Sequence, residues 1–302
     1  MLAHLQKLLT VLLVSSACLW FFYFQSTSLV LAIAGFLAIA CAYAAFLAIE
    51  FMLMIVVGSG DSTQQPLCKE LLSAWVGESL IAPQVFCWWQ PFRSNVFPDY
   101  FSSPASIQGH RGVVFVHGLF CNRGFWTPWL RRLQGGKNAF IALNLEPVFG
   151  SIDDYVSQID NAVQQITDAT GVKPLLVCHS MGGLAARAWL THMKAEVRVH
   201  HVVTIATPHR GTWLARFSHG HNGRQMRLLS DWQGQLDYEM PANRHKQFTC
   251  WYSNCDNIVF PTSNATLPGA ENRLVRGAAH VQLAFLPQVM DATLALLDDT
   301  LP

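Results

Sequence analysis

Hydrophobic positions are distributed unevenly along the chain. Leu8 to Phe24 is apolar and uncharged, Gln25-Ser-Thr-Ser28 interrupts it, and Leu29 to Ile49 is apolar again. A helix crossing a bilayer core needs roughly 20 apolar residues, with about 17 as the low end. The pattern therefore predicts two transmembrane helices, spans 8–24 and 29–49, joined by a short polar turn. Glu50 marks an interface, and Phe51 to Val57 extends the second helix. Ala32, Ala34, Gly35, Ala38, Ala40, Ala42, Ala44 and Ala45 make the second span rich in small residues. Such faces permit close helix contact, so a homodimer through the hairpin is one expected assembly. A cleaved signal peptide fits less well, because its apolar core is only about 7–15 residues long.

Beyond the hairpin, 58–65 reads as a polar linker. Pro66 to Ile81 reads as an amphipathic helix with Leu67, Leu71, Leu72 and Trp75 on one face. The aromatic run Val85 to Phe92 predicts a strand with a hairpin partner, and Asn95 to His110 a loop. From Gly112 onward strands and helices alternate. Strands are expected at 113–116, 139–143, 175–178, 199–205, 248–252 and 273–275. Helices are expected at 126–133, 152–169 and 183–193, with a closing helix at 281–297. Such alternation implies an α/β fold, a mostly parallel sheet with helices on both faces. The expected division is a hairpin at 1–57, then linker, amphipathic helix and first strands at 58–111, then a catalytic core at 112–302.

Composition sharpens this picture in two ways. Charged residues make up 13% of the chain and hydrophobic residues 51%, against about 25% and 45–50% in ordinary globular domains. The first 57 residues carry most of that charge deficit. Net charge is +1, so no bulk field points to nucleic acid. The eight cysteines show no CxxC pairing. Free thiols are the expected state and suit a reducing compartment, although Cys250 and Cys255 flank one strand end and leave a pairing open.

Two apolar runs end in chemistry. Val113-Val-Phe-Val-His-Gly-Leu119 stops at His117-Gly118, and Leu175-Leu-Val-Cys-His-Ser-Met-Gly-Gly183 carries Ser180. Buried parallel strands with functional residues at their carboxyl ends are where open α/β sheets keep their sites. The frame around Ser180 is close to the G-x-S-x-G nucleophile elbow, with Cys178 in place of the first glycine. A serine hydroxyl needs a base, and the base an orienting acid. Asp256 follows the 248–252 strand and His280 follows the 273–275 strand, in the order Ser, Asp, His that this elbow requires.

With Val116-His117-Gly118-Leu119, the Ser180 elbow, Thr207-Pro208-His209-Arg210-Gly211, and the Asp256 and His280 loops, the chain from Gly112 onward resembles the α/β-hydrolase lipases and esterases of bacteria. The resemblance excludes the hairpin. It implies an α/β-hydrolase fold with Ser180 as nucleophile, His280 as general base and then acid, and Asp256 as orienter. The oxyanion needs two preorganised donors. Met181, following the nucleophile, supplies one backbone N–H, and the resemblance points to Leu119 for the other, with Phe120 as the alternative.

The segment 212–245 is too long for a plain loop and occupies the place of a lid. Trp213, Leu214 and Phe217 interleave with Arg216 and Arg224. It reads either as an acyl-chain cover whose cations meet lipid phosphates or as a crossing helix with a solvated basic face. His117 and His179 are expected to position loops, and His192, His200, His201, His219, His221 and His245 to lie at the surface. No group has metal-ligand spacing, so neither a catalytic metal nor an organic cofactor is expected. The leading reading is a membrane-anchored serine carboxylester hydrolase acting on lipid acyl esters, with phospholipase action as one subclass. An acyl thioesterase or acyltransferase using the same triad is the alternative, and an inactive membrane scaffold is the alternative of another class. Lys7 before the first span and Lys69 after the second favour a catalytic unit facing the cytoplasm of a bacterial inner membrane.

Overall fold

The computed structural model describes residues 2–298 apart from 62–64 and 102–103. Its frame is a single sheet of strands β1 (Val113–Val116), β2 (Phe140–Ala142), β3 (Leu175–His179), β4 (His201–Ile205), β5 (Phe248–Ser253) and β6 (Glu271–Val275). Their order is β2-β1-β3-β4-β5-β6, and every pairing is parallel. Val116 pairs with Cys178, His179 with Ile205 and Ser253 with Val275. The carboxyl ends thus finish along one edge, which gathers the loops that follow them.

Among the described residues, thirteen α-helical segments accompany the sheet. The N-terminal part contains α1 (Leu2–Phe24), α2 (Leu29–Ala40), α3 (Ala42–Gly58), α4 (Cys68–Gln84), α5 (Gln90–Arg93) and the short α6 (Pro104–Ile107). The core adds α7 (Thr127–Leu133), α8 (Val156–Thr170), α9 (Met181–Met193), α10 (His221–Gln225), α11 (Asp231–Glu239), α12 (His280–Leu283) and α13 (Pro287–Ala295). Successive strand residues point to opposite faces, and each face has its own core. Val114, Val116, Leu176 and Cys178 pack with Ile159, Val163 and Ile166 of α8 and with Leu184 and Trp189 of α9. Val113, Phe115, Leu175 and Val177 pack with Trp129 and Leu130 of α7 and Val289 and Met290 of α13. Both faces of the central strands are therefore buried, and their sequences read as unbroken apolar runs.

A third cluster joins the N-terminal helices to the loops above the sheet. Phe51 and Met54 of α3 and Ala74 of α4 pack against Cys255, Phe260 and Ala279. By length and composition α1 can cross a membrane, and α2 with α3 can do so as a pair bent by 48°. The second expected span thus runs on from Ile49 to Gly58, with its break at Cys41.

Three expectations are corrected. Val85 to Phe92 is not a strand: Val85–Trp89 forms a π-helical turn that joins α4 to α5, so the segment before β1 contains no first strands among its described residues. Such π turns occur mostly as single bulges inside a helix, and here Pro91, which lacks an N–H, sits at the start of α5 just after it. The aromatic density that suggests a strand is divided between the two sides of this turn: Phe86 and Trp89 pack against the core, Trp89 on Phe285, while Trp88 and Phe92 are exposed. The closing helix is broken, because α12 ends at Leu283 and Pro287 opens α13, in keeping with the extended backbone favoured before proline. His245 is buried rather than at the surface, where its Nδ1 donates to the Pro268 carbonyl at 2.7 Å.

Candidate active site

Ser180 sits between β3 and α9 with φ 53° and ψ −127°, a conformation that non-glycine residues rarely hold. The surrounding small residues explain why it is tolerated. A Cβ on Gly118 would lie 2.8 Å from the Ser180 Cβ, and one on Gly182 would lie 2.3 Å from the Val116 carbonyl oxygen. The elbow thus needs glycine on the neighbouring β1 loop and at the start of α9. Cys178 stands at the first elbow position fully buried in the core, so a small side chain suffices there.

Asp256 and His280 lie in the loops after β5 and β6. His280 Nδ1 is 3.0 Å from both Asp256 carboxylate oxygens, and both residues are buried. Asp256 Oδ1 also accepts the Ile258 and Val259 N–H groups at 2.9 and 2.8 Å, which fixes the carboxylate. Burial disfavours the imidazolium, but the charge and hydrogen bond of Asp256, with Glu78 nearby, outweigh it and hold the His280 pKa above 6.5. Ser180 and His280 line one cavity of about 690 Å³. Among the described residues no hydrogen bond joins them; such contacts often tighten only around a substrate.

Leu119 and Phe120 both line that cavity. Their turn is closed by the Cys121 N–H on the Gly118 carbonyl at 3.3 Å, with Phe120 at φ 58°. Met181 opens α9 directly beside Ser180. His117 holds the turn from beneath: its Nδ1 donates to the Gly118 carbonyl at 2.9 Å and its Nε2 accepts the Leu145 N–H at 3.1 Å. Burial pushes the pKa of His117 down to about 4, so the ring is neutral. His179 is likewise held neutral by burial, stacks on Phe125 and donates through Nε2 to the His280 carbonyl at 3.2 Å. Both therefore act on loop position.

Several participants carry no sequence signal. Glu78 of α4 is buried and accepts the Val281 and Gln282 N–H groups at 3.0 and 2.8 Å. It caps the helix that begins at His280, and burial raises its pKa to about 7. Glu50 of α3 accepts from Asn257 Nδ2 at 2.7 Å, while Asn257 Oδ1 accepts the His280 N–H at 3.1 Å. Tyr43, Phe46 and Glu50 of α3 wall the cavity directly. In the first turn of α4, Glu70 is gripped by Arg276 through two bonds of 2.6 and 2.9 Å. The N-terminal helices are thus built into the loops that hold Asp256 and His280.

The segment 212–245 folds as a 3-10 turn (Trp213–Phe217), α10 and α11. Leu214 and Phe217 line the cavity. Trp213 turns away to stack on Phe260, with the Arg216 guanidinium 4.4 Å above its ring. Arg224 Nε donates to the His219 carbonyl at 2.9 Å. Neither arginine is on the cavity wall. Cys250 and Cys255 are free, as are the other cysteines. Among the described residues no group of His, Cys, Asp and Glu could hold a metal ion.

A hydroxyl at a strained strand–helix elbow and an Asp–His pair at later strand ends, all on one parallel sheet, define the α/β-hydrolase fold. The chain belongs to the alpha/beta hydrolase family, whose model matches residues 113–299. Among solved structures it is similar to the mature lipase BlEst2 of Bacillus licheniformis, with 19% identity and a TM-score of 0.54 over 63% of this chain and 92% of that one. It is also similar to lipase B of Aspergillus fumigatus, with 18% identity and a TM-score of 0.57 over 64% of this chain and 54% of that one. Likeness at this identity is likeness of fold. A comparison with curated protein sequences finds no match.

Proposed function

We propose that the protein is a membrane-anchored serine carboxylester hydrolase that cleaves acyl esters of lipids. The observation that carries this reading is the Asp256–His280 pair, at 3.0 Å, with His280 lining the same cavity as Ser180. Ser180 Oγ attacks the ester carbonyl carbon as His280 Nε2 takes its proton. The oxyanion is received by the Met181 N–H and by that of Leu119 or Phe120. His280 returns the proton to the departing alcohol, leaving an acyl-Ser180 ester. Water then attacks, His280 takes its proton, and the carboxylic acid leaves as Ser180 is reprotonated.

The substrate class is read from the walls. The cavity is lined mainly by apolar side chains, including Phe46, Phe86, Leu214 and Phe217. Anchoring is supported by α1, whose Leu8, Leu12, Leu19 and Phe22 are all more than half exposed, a contiguous apolar surface rare on soluble proteins. An anchored site works beside lipids at high effective concentration. Free thiols and the lysines at the ends of the hairpin favour a cytoplasm-facing unit on a bacterial inner membrane. The exposed Arg216 and Arg224 would meet lipid phosphates.

Purified full-length protein in detergent, given a panel of long-chain oxygen esters and the matching thioesters, tests the reading. Long-chain ester turnover in excess of thioester turnover is expected, with Ser180→Ala slower by on the order of 10⁶-fold. Full activity in Ser180→Ala, or preference for thioesters, would refute it.

A further inference from the structure

We propose that a groove along α1 holds the second acyl chain of a diacyl lipid while the chain being cleaved lies in the Ser180 cavity. This inference rests on the lipid-ester reading above. Leu5, Leu9 and Leu13 form one stripe of α1 and face a groove of about 350 Å³. Phe86 and Phe120 line both this groove and the cavity that holds Ser180 and His280. The two spaces therefore meet at the turn that carries the candidate oxyanion donors. A lipid with its scissile carbonyl at Ser180 has its glycerol at that junction, where its two chains diverge.

Gln6 links the groove to the turn. It lines the groove, its side chain is buried, and its Nε2 donates to the Phe120 carbonyl at 3.2 Å. Its Oε1 is buried with no partner, an open acceptor near the place where the polar part of a lipid would sit. The stripe from Leu5 to Leu13 rises about 12 Å along the helix, so the path suits a long chain. Each buried methylene favours binding by roughly fourfold, which makes such a groove selective for diacyl over monoacyl lipid. Bulk bilayer contact would look different. Leu8, Val11 and Leu12 are each more than half exposed and do not line the groove, and surrounding lipid meets them as readily as the stripe.

The test uses full-length Ser180→Ala protein in phosphatidylglycerol nanodiscs containing a phosphatidylglycerol with a diazirine at one chain end. After illumination, adducts on Leu5, Leu9, Leu13 and Phe86 should exceed those on Leu8, Val11 and Leu12 by about tenfold or more. Leu9→Trp, which fills the groove from an exposed position, should remove that excess. In the active protein the same substitution should lower the ratio of diacyl to monoacyl turnover by roughly tenfold. Adducts spread evenly around α1, or an unchanged ratio, would overturn the inference. The photolabelling needs no turnover, so its failure is distinct from a failure of the wild type to hydrolyse esters.

Discussion

His280 sits between opposed influences. Burial works against its cation, Asp256 and Glu78 favour it, and the balance holds its pKa above 6.5. In the proposed mechanism the neutral ring is the base, so kcat/KM should rise with pH through a midpoint above the ordinary imidazole value. Glu78→Gln removes a negative neighbour, destabilises the imidazolium and should move that midpoint to lower pH. A profile that stays in place or moves upward would contradict this account of the ring. Asp256→Asn keeps an oxygen for the Ile258 and Val259 N–H groups, so the fold should persist. It loses the charge that orients the ring, and kcat should fall by about 10⁴-fold, as read by steady-state kinetics beside a circular dichroism spectrum. Ser180, Asp256 and His280 could be singled out because each follows a run read as a strand, and those runs are β3, β5 and β6 in the structure. Glu78 could not, since its bond to Val281 spans 203 residues and nothing local distinguishes it from the solvated side of an amphipathic helix. Asn257 was hidden beside Asp256 for the same reason.

Among the elements, the β3–α9 elbow is the most constrained. A methyl group on Gly182 meets backbone oxygens of Val116 and His117 at 2.3 and 2.8 Å, and neither can turn aside as a side chain would. Gly182→Ala should therefore destabilise the protein by about 1–3 kcal/mol, lowering Tm by about 2–4 °C for each kcal/mol. An unchanged Tm in a thermal melt would mean that α9 can shift away from β1 at no cost. The central strands β1 and β3 were read to within a residue, because burial on both faces leaves only apolar runs, whereas the edge strand β6, with Glu271 and Asn272 exposed, was begun two residues late. The stretch Val85 to Phe92 was misread for a related reason. It is rich in aromatics but only partly buried, with Trp88 and Phe92 exposed, and periodicity over so few residues does not separate a strand from a widened helical turn. The division of 281–297 into α12 and α13 was signalled by Pro287, whose presence in the run was outweighed by the apolar residues on either side.

The molecule as a whole joins two apparently separate parts. The N-terminal apolar helices were legible from apolar length alone, and that pattern says nothing about what the helices touch on their inner side. In the structure α3 contributes Tyr43, Phe46 and Glu50 to the cavity wall, and Glu50 reaches His280 through Asn257. If the proposed anchoring holds, removing residues 1–57 should thus do more than detach the protein from a membrane. Turnover of even a soluble short-chain ester should fall markedly, since the cavity loses a wall and the His280 loop loses a brace. A truncated protein that is folded by circular dichroism and as active as the full chain would show that the hairpin is only an anchor.

All of this depends on an activated hydroxyl at Ser180. The most direct measurement is reaction of the full-length, detergent-solubilised protein with a fluorophosphonate, followed by mass mapping of the adduct. We expect rapid labelling at Ser180 alone, none in Ser180→Ala, and much slower labelling in His280→Ala. Wild-type protein that stays unlabelled under native conditions, or that labels at another residue, would contradict the account.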